Sequence, residues 1–327
     1  MMKRREFITL LGGAAVTWPL AARAQQSAMP VIGILGSPSA IPYKPFVDAI
    51  FRGLEEEGFV LGKNVAVEQR WADGQYDRLP AFANELVRLR ANVIVAIAPP
   101  AARAAKGATS STPIVFSTAG DPVALGLVSS LARPGGNLTG VNFLLFATVT
   151  KRLELLTKLA PMADTIGILV NPRNPSTVRS TADAQAAADT LGKKLIVENA
   201  GTARDIESGF AHFVQQKVRA ILVESDPFLT ARRDQIVGLA ALHSLPAVYS
   251  HREFAEVGGL VSYGTSLPDA YRQIGIYTGR ILKGEEPANL PVMQATKFQL
   301  VINLKTAKAL ALDVPLHLQQ LADEVIE

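Results

Sequence analysis

The residues able to do chemistry are few and badly spaced for it. The histidines are His212, His243, His251 and His317, none in a His-Glu-x-x-His pattern and no two at helical spacing, so a zinc site lacks ligands. Cysteine is absent, which excludes disulfides, thiolate metal sites, iron–sulfur clusters, cysteine nucleophiles and a lipidated N-terminal cysteine together. Ser250 and His251 follow a predicted strand, where adjacent side chains point to opposite faces, and there is no Gly-x-Ser-x-Gly elbow. The segment Gly58-Phe59-Val60-Leu61-Gly62-Lys63-Asn64 is one residue short of a phosphate loop and lacks the Ser or Thr after lysine. It reads as a glycine helix cap and turn. No Gly-x-Gly-x-x-Gly follows a predicted strand, so dinucleotide binding is not expected. Neither a cofactor nor a metal nor an enzymatic activity is predicted.

What recurs is a set of small polar, proline and aromatic residues where predicted strands end, the place where open α/β sheets bind ligands. They are Gly36-Ser37-Pro38-Ser39, Ala98-Pro99-Pro100-Ala101, Ser117-Thr118-Ala119-Gly120-Asp121-Pro122, Asn171-Pro172-Arg173-Asn174 and Glu224-Ser225-Asp226-Pro227-Phe228. Such loops offer hydroxyls and amides without a nucleophile–base pair. Each has a plainer alternative: Ser37, Ser117 and Thr118 as helix N-caps, Asp121 and Asp226 as Asx or N-cap residues before proline. Phe116, Phe143, Phe228, Tyr249 and Tyr263 read singly as core. Together, aromatics at strand ends suit a cleft that grips a flat ligand.

The elements that would position these loops alternate short aliphatic runs with longer helical segments, the signature of βα units around parallel sheets. One series has strands near Val31–Leu35, Val65–Gln69, Val93–Ala96 and Ile114–Phe116. A second has Ile166–Val170, Leu195–Glu198, Ala220–Val223 and Ala247–Tyr249. On the first helix Phe46, Ile50 and Leu54 form an apolar stripe, with Glu55-Glu56-Glu57 on a solvated face. A chain of 327 residues, 48% hydrophobic and 19% charged, has material for about two domains. The predicted fold class is α/β, two Rossmann-like lobes with parallel sheets and a hinged cleft. The first lobe is expected over residues 29–138 and 265–290, the second over 139–264 and 291–327, with the first crossing placed at the break Arg133-Pro134-Gly135-Gly136-Asn137.

The N-terminus, Lys3-Arg4-Arg5-Glu6-Phe7, an apolar stretch from Ile8 to Leu20 and then Ala22-Arg23-Ala24, reads as a secretory signal peptide over residues 1–24, twin-arginine-like and cleaved after Ala24. It holds +3 of the formal net charge of +4, so no basic excess remains for a nucleic acid. With no second long apolar run and no lipidation cysteine, the cleaved chain is expected free of a direct membrane anchor.

Several segments in fixed order resemble one family. They are Gly58 to Arg70 followed by Asp77-Arg78-Leu79-Pro80, Thr112-Pro113-Ile114-Val115-Phe116 leading to Asp121-Pro122-Val123, Gly126-Leu127-Val128, Asn137-Leu138-Thr139-Gly140 and Asn303-Leu304-Lys305-Thr306-Ala307. Together with the leader they look like the ABC-transporter substrate-binding proteins related to tryptophan-binding TrpX, over essentially the whole mature chain. The resemblance implies a type I periplasmic-binding-protein fold and capture of a small amino-acid-like or aromatic carboxylate ligand for an ABC permease of the inner membrane, from the periplasm. It implies that Ser37, Ser117, Thr118 and the turn carrying Pro99 and Ala101 hold a carboxylate, and that Asp226 accepts an ammonium. Asn171 would sit at the rim, Tyr249 and Tyr263 against the side chain, and Asp121 either touches ligand or caps its turn. A sensor subunit signalling to a membrane receptor is the nearest rival, and an exported enzyme a more distant one.

Overall fold

The computed structural model describes residues 29–295 and 297–327; the expected leader lies outside them. The chain runs β1 (Val31–Gly36), α1 (Ala40–Glu56), β2 (Ala66–Trp71), α2 (Leu79–Arg88), β3 (Val93–Ile97), α3 (Pro99–Ala108), β4 (Ile114–Thr118) and β5 (Leu138–Asn142). It crosses to α4 (Val149–Leu159), β6 (Thr165–Val170), α5 (Thr177–Thr190), β7 (Lys194–Asn199), α6 (Ala203–Gln215), β8 (Ala220–Val223), α7 (Pro227–Ala231), α8 (Arg233–Leu242), β9 (Ala247–Tyr249), α9 (Arg252–Glu256) and β10 (Val261–Thr265). It returns as α10 (Leu267–Leu282) and β11 (Met293–Gln294), then crosses once more into β12 (Phe298–Asn303), α11 (Leu304–Ala309), α12 (Leu316–Leu321) and β13 (Glu324–Ile326).

Two sheets result, with strand orders β11-β5-β4-β3-β1-β2 and β13-β12-β10-β9-β8-β6-β7. Pairing is parallel throughout except between β10 and β12. Side chains alternate across each strand, so both faces need a helical cover. In the first sheet Ile32, Ile34 and Val95 pack under α1 and α10 against Phe46, Ile50 and Ile274, while Leu35, Ile94 and Ala96 face α2 and α3. In the second, Ile166 and Ile168 lie under α4 and α5, and Leu169 and Ile221 under α6 and α8. Each fully buried Leu, Ile or Phe contributes about 1.5–3 kcal/mol, which makes these four half-cores the main stabilising term.

Two expected lobe boundaries move. Leu138–Asn142 pairs with β4 from Ile114↔Leu138 to Thr118↔Asn142, so it completes the first sheet instead of opening the second lobe. The proline–glycine break at Arg133 to Asn137 is a loop inside the first lobe, and the crossing comes after Asn142. Met293 and Gln294 add an edge to the same sheet beside β5, so the last crossing follows Gln294, not residue 290. The crossing from β10 into α10 falls at residue 266, next to the expected 265.

Candidate functional site

The C-terminal ends of β3, β4 and β5 face those of β8 and β9 across the gap between lobes. On the first lobe's wall Ala98 ends β3 with φ 78° and ψ 161°, a conformation an L side chain adopts only under strain. It turns the chain directly into Pro99 and Pro100, which carry no N–H. The Ala98 amide donates to Ser117 Oγ at 2.9 Å and the Ala101 amide to Ser37 Oγ at 3.0 Å. Every N–H in this turn is therefore missing or satisfied, and the expected capture of a carboxylate by the amides of Ala98 to Ala101 has no free donor. Ser37 and Ala101, the latter in the first turn of α3, are buried and do not line the cavity. Pro99, Ser117 and Thr118 do line it. Thr118 Oγ1 closes a tight loop with Gly120, accepting from its amide at 3.1 Å and donating to its carbonyl at 3.2 Å.

The aromatic part of this wall comes from Tyr43, Phe143 and Tyr271. Tyr271 stacks on Phe46 at 5.3 Å and meets the Phe143 ring at 5.7 Å and the Tyr43 ring at 6.4 Å, both edge-on. Burial pushes the Tyr43 phenol well above its ordinary range, and the neighbouring Tyr271, Asp226 and Glu253 push in the same direction.

Asp226 dominates the opposite wall. It caps α7 by accepting from the amides of Phe228 at 2.8 Å and Leu229 at 3.0 Å, and it accepts from Asn171 Nδ2 at 3.1 Å and Asn174 Nδ2 at 2.9 Å. A fifth donor comes across the cleft, the Tyr76 hydroxyl at 3.3 Å. Burial raises its carboxyl above the usual range, and the amide donors oppose that rise. Asn171, itself buried, also donates from Nδ2 to the Tyr76 hydroxyl at 3.3 Å, so it meets the opposite lobe beside Asp226.

Beneath these loops lies a small ionic cluster. Arg152, fully buried, reaches the Val223 carbonyl at 3.3 Å and each carboxylate oxygen of Glu224 at 3.4 Å. His251 Nε2 is 3.3 Å from Ser225 Oγ. Burial first, and then the Arg152 charge, pull the His251 ring down to about 3.

The cleft contains two adjoining spaces that share Ala119 and Ser225. The inner one, between Tyr43, Ser117, Asp226, His251 and Tyr271, has about 30 Å³ of room. The outer one, about 300 Å³, lies between the loop Ala119 to Leu125 and the start of α5, with Glu224 and Ser225 at its floor. Asp121 lines this outer chamber while its Oδ1 accepts from the amides of Val123 and Ala124 at 2.9 and 3.3 Å, the Asx role. The lobes meet closely here: a Cβ added to Gly120 would lie 2.4 Å from Ser176 Oγ, and one added to Gly74 3.0 Å from the Phe228 ring.

Two expected aromatics lie elsewhere. Tyr249 stacks on Phe254 at 4.6 Å within the second lobe's core, and Tyr263 on Phe298 at 6.0 Å. Both belong to the strands proper; the chain reaches the cleft two residues after Tyr249, at His251, and four after Tyr263, at Leu267. Tyr43, Tyr76, Thr230 and Tyr271 are not singled out by the sequence, and Asn174 enters there only as part of the loop after β6. Their one available signal is position, each lying within two turns of a strand's C-terminal end.

Two lobes, each a sheet covered by helices, joined by three crossings and closing on a shared cavity, define the type I periplasmic-binding-protein class. Within that class, the chain belongs to the ABC transporter substrate binding protein family, which it matches over residues 31–326. It is 27% identical over 266 residues to the tyrosine-binding protein of Clostridioides difficile (strain R20291), covering 79% of this chain and 74% of that one. The ABC domain from Streptococcus pneumonia in complex with L-Trp superposes with a TM-score of 0.83 at 27% identity, covering 91% of this chain and all 100% of that one. The ligand-free, open form of a Clostridium difficile substrate binding protein with adhesive properties covers the same 91%, and 99% of its own chain, at 25% identity, but with a TM-score of 0.65. The present arrangement of lobes is thus nearer the liganded relative than the open one.

Proposed function

We propose that this protein captures an α-amino acid with an aromatic or extended apolar side chain between its lobes and presents it, from the periplasm, to an ABC permease of the inner membrane. The observation that carries the reading is where the buried charge lies. Among the described residues, the fully buried ionisable acids and bases are Arg152, Glu224, Asp226 and His251, and all four gather at the cleft. With His251 held neutral they leave one negative charge in excess, and a buried charge without a counter-ion is unfavourable. A ligand ammonium supplies the counter-ion, and the outer chamber beside these charges, walled in part by Ala124, Leu125, Val178 and Ala182, suits an apolar side chain. What the tyrosine-binding and L-Trp-bound relatives are named for supports the same ligand class. The secretory leader and the absence of cysteine support export without lipid anchoring.

Binding without turnover fits the nucleophile-like pair at the cleft. Ser225 and His251 are within reach of each other, but a ring drawn down to about 3 is too weak a base to take a serine proton near neutral pH.

A thermal-shift screen of residues 25–327 against L-tryptophan, L-tyrosine, L-phenylalanine, sugars and purines tests the reading. Ligand at a hundredfold excess over Kd adds about 2.7 kcal/mol to folding, so an aromatic amino acid should raise the melting temperature clearly. A shift confined to sugars or purines would overturn it.

A further inference from the structure

The two carboxylates at the cleft differ in what they have left to offer. A carboxylate has about four lone-pair sites. Asp226 already receives four donors from its own lobe at 2.8–3.1 Å, as many as its lone-pair sites, with the Tyr76 hydroxyl a longer fifth at 3.3 Å, so a ligand N–H would have to displace one of them. Among the described residues, Glu224 receives one side-chain nitrogen, Arg152 Nη2, lying 3.4 Å from each oxygen. That distance is beyond the ordinary 2.7–3.2 Å of an N–H···O bond, so each oxygen keeps a lone pair essentially free. Glu224 is 6% exposed, and water therefore does little to satisfy it in the closed form. It also forms part of the floor of the outer chamber, whose volume of about 300 Å³ admits a small ligand, whereas the inner space of about 30 Å³ admits little more than a water molecule. The chamber's other walls include Ala124, Leu125, Val178 and Ala182, apolar surface for an apolar ligand body.

We infer that Glu224, not Asp226, accepts the ligand's ammonium, and that the ligand is seated in the outer chamber with its amino end on the Glu224 carboxylate. This rests on the amino-acid reading above. An ammonium brings three donors to a group that lacks short ones, and Arg152 behind Glu224 fixes the carboxylate's position from the far side. Asp226 contributes its negative field, while its hydrogen bonds hold the 224–229 loop in shape. The assignment makes Glu224 the residue that separates amino acids from the corresponding deaminated acids.

Calorimetry with L-tryptophan and indole-3-propionate, which differ only by the ammonium, tests this. The wild-type protein should prefer L-tryptophan by about tenfold or more. Glu224→Gln leaves Arg152 buried without a counter-ion and risks misfolding, so the decisive variant pairs Glu224→Gln with Arg152→Met. It should bind the two probes about equally. Asp226→Asn, which removes a negative field but no hydrogen bond to the ligand, should narrow the preference by much less than the double variant does. A double variant that folds and retains the wild-type preference overturns the inference, as does a folded Asp226→Asn protein that loses the preference. If wild-type protein binds neither probe, the amino-acid reading falls, and tryptamine then tests Glu224 alone. A tryptamine-induced shift lost in the double variant upholds the Glu224 site, and no shift in the wild type overturns it.

Discussion

His251 and Glu253 stand two residues apart beside the cleft, and burial drives their protonation in opposite senses. Desolvation, with the Arg152 charge, holds the His251 ring down to about 3, while desolvation, with the Glu256 charge and against Arg233 and Arg252, carries the Glu253 carboxyl up to about 7. Between pH 3 and 6.5 the folded protein binds fewer protons at His251 than the unfolded chain, so this group makes stability rise with pH. Between 4.5 and 7 it binds more at Glu253, and stability falls with pH. The two slopes cancel where the windows overlap, leaving a flat profile that conceals both. Replacing Glu253 by Gln removes the falling limb. Its stability relative to wild type should then grow by up to about 3 kcal/mol on going from about pH 4.5 to about pH 7. Urea denaturation at a series of pH values measures this, and a difference constant across the window refutes it. The orphaned buried Glu253 Oε2 is the geometric counterpart of the raised pKa.

At the level of elements, α3 shows how a site residue and a structural residue can share one sequence signature. Ser37 follows β1 as a ligand-contacting hydroxyl would, but its oxygen takes the Ala101 amide, 64 residues away in the chain. Ser37→Ala should cost about 1–2 kcal/mol through a buried, unbonded N–H while leaving L-tryptophan affinity within about twofold. A large loss of affinity with unchanged stability would return Ser37 to the site. The β-branched runs and the stripe of Phe46, Ile50 and Leu54 made the sheets and their order of helices legible, because period and composition are local properties. The loops at strand ends were legible for the same reason, and Pro99, Ser117, Thr118 and Asp226 do meet at one cavity. Tyr43 was hidden because it lies three, four and seven residues before Phe46, Val47 and Ile50 and reads as the first member of a core stripe. Tyr271 is likewise in phase with Leu267 and Ile274. Which end of such a stripe protrudes into a cavity depends on the neighbouring lobe, and that information is not local. The misplacement of β5 has a similar origin, since a proline–glycine run marks a loop equally well inside a lobe or between lobes.

The whole molecule is tied at its crossings and latched across its cleft. Thr265 Oγ1 donates to the Phe143 carbonyl at 2.7 Å, joining the first two crossings, and the Ala295 amide donates to the Asn142 carbonyl at 2.9 Å, drawing the third to the same place. Rotation about this knot separates the walls of the cleft, across which the closed form has the Tyr76 hydroxyl donating to Asp226 and accepting from Asn171 Nδ2, both at 3.3 Å. Asp226 keeps four donors of its own lobe when the lobes separate, so opening removes only this one polar contact from it. A latch that weak lets ligand set the balance between open and closed, which a binding protein requires. A hydrogen bond to a charged group contributes about 1.5–3 kcal/mol, so Tyr76→Phe should lower the affinity for L-tryptophan roughly tenfold or more by shifting the unliganded population towards open. Because the partly buried ring remains and only its hydroxyl is lost, the melting temperature without ligand should hardly change. Small-angle scattering of the unliganded variant should show a larger radius of gyration than wild type, with the two converging at saturating L-tryptophan. If affinity and radius both match wild type, Tyr76 is not the latch, and closure is held by the packing of Gly74 on Phe228 and Gly120 on Ser176.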